Sequence, residues 1–207
     1  MRRQLSSRLL GGAMTTVVMM AAALWTAPLP AQGGAGHAAP APANDPIDVA
    51  VTYGATRANT IESSNFWMQG GSVQLCGRFY RGLGVAAEVA GMHAGAIQSP
   101  GAGLDMVTAT FGPRYTWSPA RRRYEIFAQA LGGAANGFHG VFPAAAGASD
   151  SAFSLAFQTG GGMNLRLSPR AALRVFEADW LRTGLPNSTN NAQNNLRLGA
   201  GVVFRFR

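Results

Sequence analysis

From Ile47 onward the chain alternates apolar and polar side chains with a period of two, mostly in segments of 10 to 13 residues. A period of two puts successive side chains on opposite faces of a strand. Segment length is the stronger constraint. Strands of water-soluble sheets average about five or six residues, whereas a tilted strand crossing a bilayer needs about 9–11. Eight segments carry the pattern: Ile47–Thr56, Trp67–Phe79, Leu83–Met92, Met106–Trp117, Tyr124–Gly133, Phe153–Leu167, Ala171–Leu181 and Asn195–Phe206. The sixth is the cleanest, with Phe153, Leu155, Phe157, Met163, Leu165 and Leu167 on one face and Ser154, Gln158, Asn164 and Arg166 on the other. The fifth is the least clear, because Phe127 and Leu131 share a parity with Glu125 and Gln129. In the seventh the charges change parity between Arg174 and Glu177, and a bulge near Val175–Phe176 would restore Arg174, Glu177 and Asp179 to one face.

The connections alternate as well. Short links are expected at Tyr80–Gly82, Ser118–Arg123 and Ser168–Arg170, and long ones at Ala58–Phe66, His93–Asp105, Ala134–Ala152 and Arg182–Asn194. An even number of long strands, with short turns at one end and long loops at the other, is the pattern of an outer-membrane β-barrel. Composition agrees. Charged residues are 13% of the 207 and glycines number 27, yet the apolar fraction is an ordinary 47%. A polytopic helical membrane protein reads far more apolar, and a single cysteine, Cys76, excludes a disulfide framework. A soluble β-barrel or sandwich also alternates, but it explains neither the strand lengths nor the loop asymmetry.

The fold class expected is therefore all-β: an eight-stranded antiparallel up-and-down transmembrane barrel over residues 47–207. Aromatic rings favour the headgroup zone. Tyr80, Tyr115, Trp117, Tyr124, Phe204 and Phe206 fall at the periplasmic strand ends, while Trp67 and Trp180 fall at the outer ends. These define two expected girdles, and lipids of the outer membrane are the expected surroundings. The polar, glycine-rich faces point inward, and an eight-stranded interior is only wide enough for its own side chains, which argues against a porin. Eight inward charges are expected: Arg78, Glu88, Arg114, Arg166, Arg174, Glu177, Asp179 and Arg197.

Residues 1–31 read as a secretory signal peptide, with Arg2, Arg3 and Arg8 ahead of an uncharged apolar run and cleavage expected after Ala31. An uncleaved anchor is the alternative, disfavoured by Pro28 and Pro30. Removal leaves 14 arginines and no lysine against 9 acids, a net charge of +5. Residues 32–46 are an Ala/Gly/Pro-rich lead-in that cannot bury a core.

Several local features read as structural. Cys76 is expected inward and unpaired. Gly160-Gly161-Gly162 sits mid-strand without the lysine and helix of a phosphate loop. His93 and His139 fall near loop ends as exposed residues, and His37 lies in the lead-in. Arg121-Arg122-Arg123 lies in a short turn suited to acidic headgroups; no nucleic acid is expected as a partner of a secreted barrel. The Asn-rich stretch Asn187–Asn195 offers a surface for a ligand that no spacing identifies.

Several motifs carry a family resemblance: Phe111-Gly112-Pro113-Arg114-Tyr115, Phe127 to Ala134, the triple glycine, Leu173-Arg174-Val175 with Glu177 to Trp180, and the closing Asn195 to Phe204. Through these the chain resembles the OmpA-like eight-stranded outer-membrane β-barrel family, in particular its barrel-only members of acidobacterial type. The resemblance implies an interior salt-bridge network, read as a fixed plug or as a gate, and engagement of the barrel-assembly machinery during biogenesis. The aromatic assembly signal is penultimate here, at Phe206, and with no wall-binding domain following, the wall-anchoring role of longer members is not expected. Some small barrels are lipid A-modifying enzymes. PagL-type deacylases use a His with a Ser two residues on, but His93 leads to Gly95 and His139 to Val141. The expected protein is non-enzymatic, without cofactor or metal, acting in envelope structure or surface interaction through its outer loops. A narrow channel or small-ligand transporter is the alternative.

Overall fold

The computed structural model describes residues 47–59, 65–95, 103–119, 122–144, 147–187 and 191–206. The expected leader, its cleavage site and the 32–46 lead-in with His37 lie outside the described residues. Eight strands follow one another: β1 (Ile47–Asn59), β2 (Asn65–Tyr80), β3 (Leu83–Ala94), β4 (Leu104–Trp117), β5 (Tyr124–Ala144), β6 (Gly147–Arg166), β7 (Ala171–Thr183) and β8 (Gln193–Phe206). Each pairs antiparallel with the next, and β8 returns to β1, from Ile47 opposite Phe206 to Arg57 opposite Leu196. The sheet closes into a barrel. Closure leaves no edge strand, so backbone donors and acceptors are satisfied within the wall, as lipid requires.

Alternation sorts the two faces. On β3 and β4 exposed and buried residues alternate along most of each strand. The exterior carries Val51, Val73, Leu75, Val89, Phe111, Leu155 and Leu198, all exposed. Where alternation fails, a bulge accounts for it. Val175 and Phe176 are both exposed, and the register against β8 shifts between Arg174 and Glu177. The extra residue brings Arg174, Glu177 and Asp179 to the interior together.

The β2–β3 link is a two-residue turn in which Arg81 (φ 42°) and Gly82 (φ 89°) are both left-handed. That geometry matches the twist of a hairpin. Gly82 accepts a 2.7 Å hydrogen bond from the Thr116 N–H, and a Cβ there would collide with the Thr116 carbonyl.

One expected long loop is not a loop. β5 continues to Ala144 and β6 starts at Gly147, so most of 134–152 is a hairpin prolonging the wall at the loop end. Its pairing is interrupted once. Phe138 faces Ser151 and Phe142 faces Ser149, leaving 139–141 as a bulge. Odd-numbered β5 residues from Glu125 to Gly137 mostly face inward; beyond the bulge the parity inverts and Phe142 is the buried residue.

Candidate functional site

The interior is built in three tiers. Nearest the short turns, Asp48 and Glu125 bind three arginines. Arg205 Nε donates to Asp48 Oδ1 at 3.0 Å and its Nη2 to Glu125 Oε2 at 2.8 Å. Arg78 stands 3.6 Å from Asp48 and 4.0 Å from Glu125. Arg166 lies 3.8 Å from Glu125 and also donates to the Arg122 carbonyl. Its side chain is about a third exposed, at the rim.

In the middle tier Arg197 bridges Glu88 at 2.5 Å and Asp179 at 2.8 Å. Arg174 pairs with Glu177 at 3.0 Å and donates to Asn164 Oδ1. Three glutamines tie the pairs together. Gln74 donates to Glu88 Oε2 at 2.9 Å and to Gln129 Oε1 at 3.0 Å; Gln129 donates to Glu177 and Asp179, both at 3.2 Å; and Gln158 donates to Glu88. Among the described residues no carboxylate lies within ion-pair distance of Arg114. It rests 3.6 Å above the Phe127 ring instead, and donates to the Gln74 and Gln129 side-chain oxygens. Arg174 stands 4.7 Å from the centroid of the same ring. A desolvated cation over an aromatic face gains about 2 kcal/mol, so Phe127 replaces the missing anion.

The third tier departs from the sequence reading. Toward the loop end the interior is mixed rather than wholly polar: Met68, Met92, Leu104, Met106, Phe142, Leu181 and Leu185 pack with buried alanines, beside buried Thr56, Thr183, Gln193 and Asn195. The inward faces of β2, β3 and β4 therefore change character along their length. The triple glycine clears room for the middle tier. A Cβ on Gly160 would meet the Asp179 carboxylate, and one on Gly162 would come within 2.9 Å of the Phe127 ring. Cys76 is buried and donates weakly to Gln74 Oε1 at 3.5 Å.

All eight charges expected inside face the interior, with Arg78 and Arg166 at the turn-end rim and the other six in the middle tier. Three further members were missed. Asp48 and Arg205 lie directly opposite each other across the β1–β8 seam, a pairing set by the register of that seam. Glu125 was hidden by Phe127 and Leu131, two apolar residues that share its inward parity and are fully buried.

On the exterior, Tyr80, Tyr115, Trp117, Phe204 and Phe206 are exposed at the turn end, with Tyr124 edge-on to Trp117 at 6.3 Å. Trp67 and Trp180 are exposed toward the loop end, Trp180 edge-on to Phe157. The reading of His93 and His139 as loop residues is corrected: both lie within strands, β3 and β5. They flank the Asp105 carboxylate, His93 Nδ1 at 2.6 Å from Oδ1 and His139 Nδ1 at 2.6 Å from Oδ2.

Comparison with known proteins places this architecture. The crystal structure of Neisserial surface protein A superposes with a TM-score of 0.62 over 77% of this chain and 97% of that one, at 14% identity. The chain has the fold of the small eight-stranded outer-membrane β-barrels. The attachment invasion locus protein of Yersinia pestis, Ail, matches at TM-score 0.54 and 17% identity over 79% of this chain and 99% of its own. Ail in complex with the heparin analogue sucrose octasulfate gives 0.53 and 18% over the same shares. No family model and no curated sequence matches. The barrel's apolar belt and aromatic ends belong in a bilayer, and a closed wall of this kind resides in the outer membrane.

Proposed function

We propose that this barrel is a sealed, non-enzymatic outer-membrane scaffold whose working surface is its loop end, facing outward, where the β5–β6 hairpin and the remaining loops meet the surroundings. The carrying observation is the filled interior. Arg197 spans from Glu88 to Asp179, the glutamines lock the remaining pairs, and a methionine-rich tier sits above them. The cleft beside Thr52, Ser72 and Gly199 has room for about one water molecule and is no passage. The eight inward charges, with Asp48, Glu125 and Arg205, act as a fixed plug rather than a gate. The two girdles hold the wall at its depth among outer-membrane lipids, and the barrel-assembly machinery is the partner during insertion. Planar-bilayer recording tests this. Folded protein is expected to stay silent at high voltage. A steady conductance altered by Glu88→Ala would overturn the plug and make the network the gate of a narrow channel.

A further inference from the structure

The short turns collect exposed positive charge. Arg81 stands in the β2–β3 turn, Arg122 and Arg123 in the β4–β5 connection and Arg170 in the β6–β7 turn, and all four are exposed. The acids of that end, Asp48 and Glu125, are buried in the lumen and already bind Arg78, Arg166 and Arg205. Among the described residues the acids outside the lumen are Asp105 and Asp150, both toward the loop end. Four guanidinium groups on three turns thus line one rim with no exposed carboxylate among them. Arg81 is held there against the preference of its backbone. Its position in the turn is left-handed (φ 42°), and Asn, Asp or Gly fill such positions in hairpin turns. A positive φ is uncommon for a residue with a long side chain. Turn geometry therefore does not explain an arginine at this point.

We infer that this rim is a binding surface for acidic phospholipids of the periplasmic leaflet, engaged through their phosphodiester groups. Depth comes from the girdle. Tyr80, Tyr115, Trp117, Phe204 and Phe206 are exposed beside the turns, and such rings sit at headgroup level. The Arg81 guanidinium lies 5.3 Å from the Tyr80 ring centroid, so cation and ring share that zone. Reach comes from the turns. Two residues join β2 to β3 and four join β6 to β7, too few to carry a side chain past the headgroups. The backbone there is also tied down: the Arg205 N–H donates to the Arg170 carbonyl at 2.9 Å, and the Arg166 N–H to the Arg123 carbonyl at 2.6 Å. A soluble acidic partner needs a surface standing clear of the membrane, which these turns do not provide. A planar guanidinium matches a phosphate with two parallel N–H donors, and each cation beside an anionic surface adds to the attraction. Four on one rim favour acidic lipids over zwitterionic ones, whose own cation neutralises the phosphate.

The test reads the lipids beside Trp117, which ends β4 at this rim. The full chain carrying Trp25→Phe, Trp67→Phe and Trp180→Phe is refolded into phosphatidylcholine vesicles that contain an equal fraction of brominated phosphatidylglycerol or brominated phosphatidylcholine. Bromine quenches indole fluorescence on contact, so stronger quenching by the acidic lipid reports its enrichment. An enrichment of about fivefold is expected at low salt, the attraction of one surface arginine. It should fall toward unity at high salt, since the Debye length at 1 M is about 3 Å. Arg81→Asn combined with Arg122→Gln, Arg123→Gln and Arg170→Gln should abolish it. Arg57→Gln with Arg182→Gln, which changes exposed arginines nearer the loop end, should leave it intact. Asparagine suits the left-handed turn position better than arginine, so the fourfold variant should still fold and shift on boiling. Equal quenching by the two lipids, or a preference that survives loss of the four turn arginines in folded protein, would overturn the inference.

Discussion

Single atoms decide how tightly the interior closes. Gly160 has no space for a Cβ, because the Ala178 carbonyl and the Asp179 carboxylate occupy it, whereas a Cβ on Gly132 would meet nothing within 4 Å. Overpacking costs about 1–3 kcal/mol, so Gly160→Ala should lose that much in denaturant unfolding from phospholipid vesicles. Gly132→Ala should stay within about 0.5 kcal/mol; equal effects at the two sites would contradict the packing described. Phe127 gives a sharper test. Phe127→Leu keeps an apolar side chain but removes the ring beneath Arg114. About 2 kcal/mol should be lost, and a neutral result would mean that Arg114 is content with the two glutamine oxygens alone. Most of the interior charges were legible at this scale, because alternation separates charged from aliphatic positions wherever the strand is regular. Glu125 was not, since its inward neighbours Phe127 and Leu131 are apolar and imitate an outward face.

At the scale of elements, bulges control which face a residue serves. The one at Val175–Phe176 keeps Arg174 on the same side as Glu177 and Asp179. Deleting Val175 would let Arg174, Phe176, Glu177, Ala178 and Asp179 alternate regularly with all three charges still inward. The folded, heat-shifted fraction on a gel should therefore be largely kept; a sharp loss would show that β7 needs the bulge for more than the parity of these charges. This bulge was visible in the sequence because it sits among charges. The one at 139–141 was not. It lies in an Ala/Gly-rich stretch, in a hairpin that extends past the apolar belt, where neither face needs to be apolar and no two-residue pattern is imposed. The same absence of pattern made β5 and β6 look shorter than they are.

For the whole molecule, eight long strands and a narrow interior lead to one architecture. The aliphatic face must meet lipid, because the lumen is already filled by arginine, carboxylate and amide groups and by the methionine-rich tier above them. Strand number, closure and the direction of each face were legible from period and length. The methionine-rich tier was not foreseen, because Met68, Met92 and Met106 lie at strand ends, where a short methionine stretch reads equally well as a girdle or as a core. The specific ion pairs across the lumen, such as Arg205 with Glu125, join residues 80 positions apart and follow only from the closed geometry. Fractionation of cells expressing the full chain, followed by gel electrophoresis with and without boiling, tests the central claim most directly. The account predicts a protein confined to the outer-membrane fraction that changes mobility on boiling. A soluble periplasmic protein whose mobility is the same in both lanes would contradict it, since the exposed aliphatic belt would then have to face water.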